Sequence, residues 1–143
     1  MLRRMVLLGG MLLVGVMLLS GVALAKDIRG TFKQDDLTGT SQKDRIYGLG
    51  AADTLSGLGG NDDCYGGSGA DEISCGPGND RIDGGFGEDD LFGDNGNDTI
   101  SAADGRLDVV DCGEGDDTAY VDEEDDVDAN CEEVFTAVLE TTM

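Results

Sequence analysis

An aspartate returns at every ninth residue through the middle of this chain: Asp44, Asp53, Asp62, Asp71, Asp80, Asp89 and Asp98. Two residues after each stands an apolar or small sulfur side chain: Ile46, Leu55, Cys64, Ile73, Ile82, Leu91 and Ile100. Glycines recur ahead of each aspartate, as in Gly66-Gly67-Ser68-Gly69-Ala70-Asp71. After Ser101 the phase slips by one residue, resuming with Asp108 and Val110, then Asp117 and Ala119. This makes about nine copies from Gly39 to Tyr120, with an insertion near residues 104–107. A fixed short period is the signature of a solenoid rather than of a globular core.

One nine-residue unit can be read directly. Glycine at its first, second and fourth positions permits positive φ, so the first six residues make a tight turn. The last three, such as Glu72-Ile73-Ser74, alternate polar, apolar, polar, which is a minimal strand with one inward side chain. Two units close one coil, so the structural period is 18 and coils stack at about 4.8 Å. A single column of Ile and Leu on each side fills the thin interior. No coil is stable alone, because only stacking buries that column. The expected fold is therefore all-β, a right-handed parallel β-roll with a small C-terminal cap.

The 143 residues hold 9 Lys or Arg against 31 Asp or Glu, a net charge of −22. Such a surface repels phosphate, which argues against nucleic acid as a partner. The chain has no His, which removes Ser-His-Asp, Cys-His and zinc-His chemistry. Parity places Asp44, Asp62, Asp80 and Asp98 on one edge of the roll and Asp53, Asp71, Asp89 and Asp108 on the other. Each carboxylate then lies near the loop of the next coil, with turn carbonyls facing the same gap. Unbridged, that geometry is repulsive. A cation that takes many hard oxygen ligands, such as Ca²⁺, would neutralise it, and Mg²⁺, which prefers a small octahedral shell, fits less well.

These units resemble the RTX, or haemolysin-type, calcium-binding nonapeptide repeat, G-G-x-G-x-D-x-U-x, with U a large apolar residue. The copies at 57–65, 66–74, 75–83, 84–92 and 93–101 match most closely. The copy at 48–56 carries Ala51 at the fourth position, and that at 39–47 keeps only Gly39, Asp44 and Ile46. The copy at 112–120 opens with Cys112 and has Ala119 in the apolar slot. The resemblance implies Ca²⁺ in the turns, roughly four to six ions. It implies ligands from Asp53, Asp62, Asp71, Asp80, Asp89, Asp98, Asp108 and Asp117. It implies further ligands from the turn positions Gly57, Gly59, Gly66, Ser68, Gly76, Gly84, Phe86 and Asn95. Many relatives join such a roll to a protease, lipase or toxin domain. Here residues 26–38 and 121–143, read as an N-terminal cap or linker and an acidic C-terminal cap, are too short for one.

The first 25 residues read as a secretory signal helix. Arg3 and Arg4 precede an apolar run from Met5 to Leu24 that closes on Ala23-Leu24-Ala25, small residues at the positions a signal peptidase accepts. The run is also long enough to span a bilayer, so an uncleaved anchor is the competing reading. Cleavage after Ala25 implies a secreted or cell-envelope protein that keeps no membrane segment. Export favours disulfides among Cys64, Cys75, Cys112 and Cys131. In the roll, Cys75 and Cys112 stand two coils apart, roughly 9.6 Å, beyond a disulfide's reach of about 7 Å. Cys64 and Cys112 are at least as distant, which leaves Cys64–Cys75 and Cys112–Cys131.

Apolar residues near the ends are expected to cover the open roll: Ile28, Phe32 and Leu37 at one end, and Val127, Val134, Phe135, Val138 and Leu139 at the other. The run Asp122-Glu123-Glu124-Asp125-Asp126 reads as a solvated acidic loop, with an irregular cation site as the alternative. Tyr47, Tyr65 and Phe92 share the ninth slot and raise the question of a sticky stripe, against the plainer reading of ordinary surface aromatics. The function expected is secreted calcium binding coupled to folding, without catalysis. The alternative is a cell-surface structural or adhesive protein, with an unknown surface or self-association partner, in which Ca²⁺ only rigidifies the solenoid.

Overall fold

The computed structural model describes residues 24–137, and the segment read as a secretion signal lies outside them apart from Leu24 and Ala25. Thirteen short strands, numbered in chain order, alternate between two parallel sheets, with no helix among the described residues. One sheet stacks β1 (Asp27–Arg29), β3 (Arg45–Tyr47), β5 (Asp63–Ser68), β7 (Arg81–Phe86), β9 (Thr99–Ser101), β11 (Thr118–Asp122) and β13 (Glu133–Ala137). The other stacks β2 (Asp36–Thr38), β4 (Thr54–Ser56), β6 (Glu72–Ser74), β8 (Asp90–Phe92), β10 (Val109–Asp111) and β12 (Asp126–Val127). Consecutive strands lie in opposite sheets and next-but-one strands pair in parallel, which is a β-solenoid of about six coils with two strands in each.

The register shows why the fold follows from the period. Ile46 pairs with Cys64, Cys64 with Ile82, and Ile82 with Ile100 in one sheet. Leu37 pairs with Leu55, Leu55 with Ile73, and Ile73 with Leu91 in the other. Each inward position is flanked by outward ones, and the residues from Ile46 to Ala119 in these columns are sealed from solvent. The ten-residue unit leaves the register intact, since Val109 still pairs with Asp90 and Val110 with Leu91. Its extra residue is taken up in the turn before Asp108.

The stack is longer than nine motif copies. Residues 30–38 form a further unit, with Gly30, Asp35 and Leu37 in the glycine, aspartate and apolar slots, and their strand pairs in register with β4. The motif is hard to see there because Thr31 and Lys33 replace the other two turn glycines. At the far end β12 and β13 continue both sheets past Tyr120. Of the expected end residues, Ile28, Leu37 and Val127 pack against the core. Phe32 is 85% exposed and Phe135 53% exposed, and Val134 is also exposed, so these three do not cover it. Val138 and Leu139 lie outside the described residues.

Disulfides join Cys64 to Cys75 and Cys112 to Cys131, with Cα separations of 6.5 and 5.2 Å. The first ties β5 to the turn after β6, and so one sheet to the other through the interior. The second ties the turn after β10 to the residues leading into β13. Phe92 does not join a stripe with Tyr47 and Tyr65. Its unit has the opposite parity, so it sits in β8 on the other sheet. Tyr47 and Tyr65 stack at 5.0 Å, and the Arg29 guanidinium lies 4.9 Å from the Tyr47 ring centroid.

Ile82 sits mid-column with no exposed surface. Ile82→Ala is expected to cost about 2–5 kcal/mol through lost burial and a cavity the neighbouring coils cannot close. Denaturant unfolding of variant and parent at saturating calcium would measure it.

Candidate metal sites

The turns are built around a left-handed second position. Gly67, Gly76, Gly85 and Gly113 stand there with φ of 109°, 83°, 97° and 94°, and Leu49, Leu58 and Asp94 are held in the same region at 85°, 77° and 70°. Side chains resist that conformation by about 1–2 kcal/mol, so the stacked neighbours impose it on the three non-glycine residues. The reversal carries the chain back to the aspartate, which enters the corner beneath its own turn.

Each repeat aspartate from Asp44 to Asp117 is buried. Its Oδ1 has a fixed partner one coil earlier on the same edge, the backbone N–H of an aspartate or, for Asp44, of Lys26. Asp44, Asp62, Asp80 and Asp98 donate in this way to Asp62, Asp80, Asp98 and Asp117, at 2.6–2.7 Å. On the other edge Asp35, Asp53, Asp71 and Asp89 donate to Asp53, Asp71, Asp89 and Asp108, at 2.7–2.8 Å. The carboxylates therefore bond the preceding coil directly, rather than only facing a gap.

The second oxygen is different. Oδ2 of Asp53, Asp62, Asp71, Asp80, Asp89, Asp98, Asp108 and Asp117 is buried without any hydrogen-bond partner. At Asp53, Asp62, Asp71 and Asp98 it points at the glycine that opens its own turn, where the opening carbonyl of the next coil also points. At Asp89 it points at Gly84, while Asp80, Asp108 and Asp117 have Cys75, Ala102 and Cys112 in the opening position. A Cβ on Gly66 would lie 2.5 Å from both Asp71 Oδ2 and the Gly84 carbonyl oxygen, and one on Gly48 would lie 2.6 Å from Asp53 Oδ2 and 2.5 Å from the Gly66 oxygen. Gly57 repeats the arrangement with Asp62 and Cys75, and Gly93 with Asp98 and Cys112. Two acceptors thus converge at these corners with no donor between them.

The first two turns resolve the same conflict with protein atoms. Asp44 Oδ2 accepts the Thr40 N–H at 2.5 Å and its hydroxyl at 2.8 Å, and Asp35 Oδ2 accepts those of Thr31 at 2.5 and 2.9 Å. Threonine in the second position of the unit, Thr31 and Thr40, is the sequence signal for these self-satisfied corners.

The donor set at the remaining corners suits a calcium ion: a carboxylate oxygen without a donor, with backbone carbonyls beside it. No point among the described residues gathers three acidic or sulfur side chains, so carbonyls must complete any shell. Among the turn positions expected to contribute, the carbonyls of Gly57, Gly59 and Gly76 accept no backbone N–H among the described residues. Those of Gly66, Phe86 and Asn95 each accept one, from Leu49, Gly69 and Gly78, and keep their second lone pair. Gly84 directs its carbonyl at the Gly66 corner, while Ser68 lies in the β5 ladder and its hydroxyl reaches the Leu49 carbonyl at 3.5 Å.

Residues 38–73 and 65–100 match the family model of the RTX calcium-binding nonapeptide repeat, four copies. The chain carries RTX repeats. No curated protein and no solved structure matches it. The matched span stops just before the ten-residue unit, although the RTX corners continue to Asp108 and Asp117 with the same unpartnered oxygen.

Burial shapes the titration of the RTX aspartates more than mutual repulsion does. It pushes Asp80 and Asp108 up to about 7 and Asp89 and Asp98 up to about 6, against the opposing pull of the backbone N–H each accepts. Neighbouring carboxylates add a smaller upward push, as Asp98 and Asp62 do on Asp80. Asp62, Asp71 and Asp117 are raised for the same first reason. The acidic run is also not a simple solvated loop. Asp122 is buried, and Asp125 folds back to accept the N–H groups of Asp108 and Asp122.

An acid whose folded value exceeds its unfolded one, 3.8 for these groups, stabilises the fold while protonated. That stability is complete below about pH 4 and is lost as pH rises through about 6–7. The metal-free roll is therefore expected to melt at higher temperature in mild acid than at neutral pH, as thermal scans in chelator would show. Gly66→Ala places a methyl group on the paired oxygens of Asp71 and Gly84 and is expected to weaken both stability and calcium uptake. Isothermal titration alongside melting would register both losses.

Proposed function

We propose that this RTX-repeat protein is a secreted calcium-binding module whose folding is coupled to calcium outside the cell. The observation that carries the reading is the set of eight buried Oδ2 atoms without a donor, beside two corners where threonine supplies one. Where the chain can satisfy its aspartate it does so. Where it cannot, a cation that takes up the carboxylate oxygen and the facing carbonyl removes the conflict.

Burying an ionised carboxylate unpaired costs several kcal/mol, so the chain without cation has a strong reason to stay open or protonated. Calcium binding then becomes folding free energy. The ligands are the carboxylates of Asp53, Asp62, Asp71, Asp80, Asp89, Asp98, Asp108 and Asp117 with the turn carbonyls between coils. Together they hold roughly four to six ions. Extracellular calcium modules bind at about 10⁻⁴–10⁻³ M, which would keep the chain unfolded during export and fold it afterwards. The apolar N-terminal run ending in Ala23-Leu24-Ala25 and the two disulfides support this compartment. The reading includes no catalytic step.

The circular dichroism signal of β structure is expected to be small in chelator and to rise steeply with calcium but not with magnesium. Asp71→Asn separates the roles of the two carboxylate oxygens. It keeps Oδ1 for the Asp53 N–H and sets an amide N–H₂ opposite the Gly84 carbonyl. The variant is expected to be more stable than the parent in chelator, by about 1–3 kcal/mol, and to gain less from calcium. Equal stability of the two proteins in both conditions would refute the coupling.

A further inference from the structure

We propose that the two ends of the roll dock on each other, so that a second copy of this chain stacks head-to-tail on the first and continues both sheets. The proposal goes beyond calcium binding and starts from the aspartate ladder. Within the roll each aspartate N–H donates to the carboxylate of the next coil on its edge. At the N-terminal end Asp35 donates to Asp53, yet its own Oδ1 accepts nothing among the described residues. At the C-terminal end Asp125 accepts from Asp108 and Asp122, yet its own N–H donates to nothing among the described residues. Among the described residues, one end thus presents an acceptor and the other the matching donor.

The opposite edge ends in a charge pair. Lys26 stands in an aspartate slot and gives its N–H to Asp44 at 2.6 Å, while Glu132 stands in the last slot and accepts the Asp117 N–H at 3.0 Å. Continuing the observed register would set Lys26 of the second copy over Glu132, Ile28 over Val134, and Arg29 over Phe135. The last contact would reproduce the guanidinium-on-ring packing of Arg29 on Tyr47. In the other sheet Leu37 would follow Val127. Two like-charged pairs would oppose docking, Asp27 with Glu133 and Asp36 with Asp126. The roll already tolerates the same opposition between Glu72 and Asp90.

The charge distribution favours the same order. Lys26, Arg29, Lys33, Lys43 and Arg45 lie in the first coils, and no basic residue follows Arg106. The molecule is therefore a dipole along the solenoid axis, and head-to-tail contact pairs its unlike ends. Among the described residues β1 and β13 each pair on one side only, and β13 is exposed along its whole length. Such a contact is heterologous and does not close, so it builds linear chains of copies.

Sedimentation of the purified chain in saturating calcium, after circular dichroism has shown it folded, tests the proposal. The expected mass rises with concentration to about double the monomer and beyond, and falls back in high salt. Reversing the basic end (Lys26→Glu with Arg29→Glu) or the acidic end (Glu132→Lys with Glu133→Lys) should each leave a monomer. Mixing the two reversed proteins should restore pairs through the one joint where lysine again meets glutamate. Should Glu132→Lys disturb the Asp117 corner, Phe135→Lys with Glu133→Lys reverses the same end without it.

A folded monomer at every concentration overturns the proposal, as does association that ignores both reversals or a mixture that restores nothing. Association seen only after deletion of residues 138–143 also overturns it, because the chain's own tail would then be the occupant of that end. A chain that gains no β signal with calcium fails the preceding reading instead.

Discussion

Everything in this structure turns on a corner where two oxygen acceptors are buried face to face. At Asp53, Asp62, Asp71 and Asp98 the carboxylate Oδ2 and the carbonyl of the next coil meet over a glycine, and at eight aspartates in all no protein donor reaches the carboxylate oxygen. A lone corner of this kind would simply open to water. It cannot here, because the apolar columns a few ångströms away are sealed by the same stacking that brings the oxygens together. Hydrophobic burial and carboxylate desolvation are thus locked into one geometry, and cation supply decides which of them prevails.

The glycines follow from the same constraint. The opening glycine leaves room for the acceptor pair, and the second position must turn left-handed so that the chain can re-enter beneath itself. Leu49, Leu58 and Asp94 show that the stack enforces the turn even where the residue opposes it. The two threonine corners are the internal control. Their aspartates lie in the same ladder, with the same N–H bond to Oδ1 in the case of Asp44, but a hydroxyl and an N–H quiet the second oxygen.

Much of the architecture was legible because the period does so much work. Nine residues allow one turn and one strand, and the inward Ile or Leu sets the register, so parity assigned both the edges and the sheets. The spacing of Cys64, Cys75, Cys112 and Cys131 left one pairing, which the disulfides adopt. Legibility failed where the motif decays. Residues 30–38 lack the glycine signature yet form a full unit, since Leu37 and Asp35 suffice once a neighbouring coil supplies the template. Phe92 was grouped with Tyr47 and Tyr65 by slot alone, although its unit has the other parity.

The sequence by itself determined the repeat, the inward column, the two aspartate edges and the oxygen-rich chemistry that suits calcium, because each depends only on residue type and spacing. The tertiary structure decided how the two oxygens of one carboxylate divide their tasks, one bonding the preceding coil and the other left bare. It also decided that Asp122 and Asp125 fold inward and that the last strand lies open. These outcomes depend on distances between coils eighteen or nineteen residues apart, and a linear pattern does not carry the angle at which a side chain enters a corner.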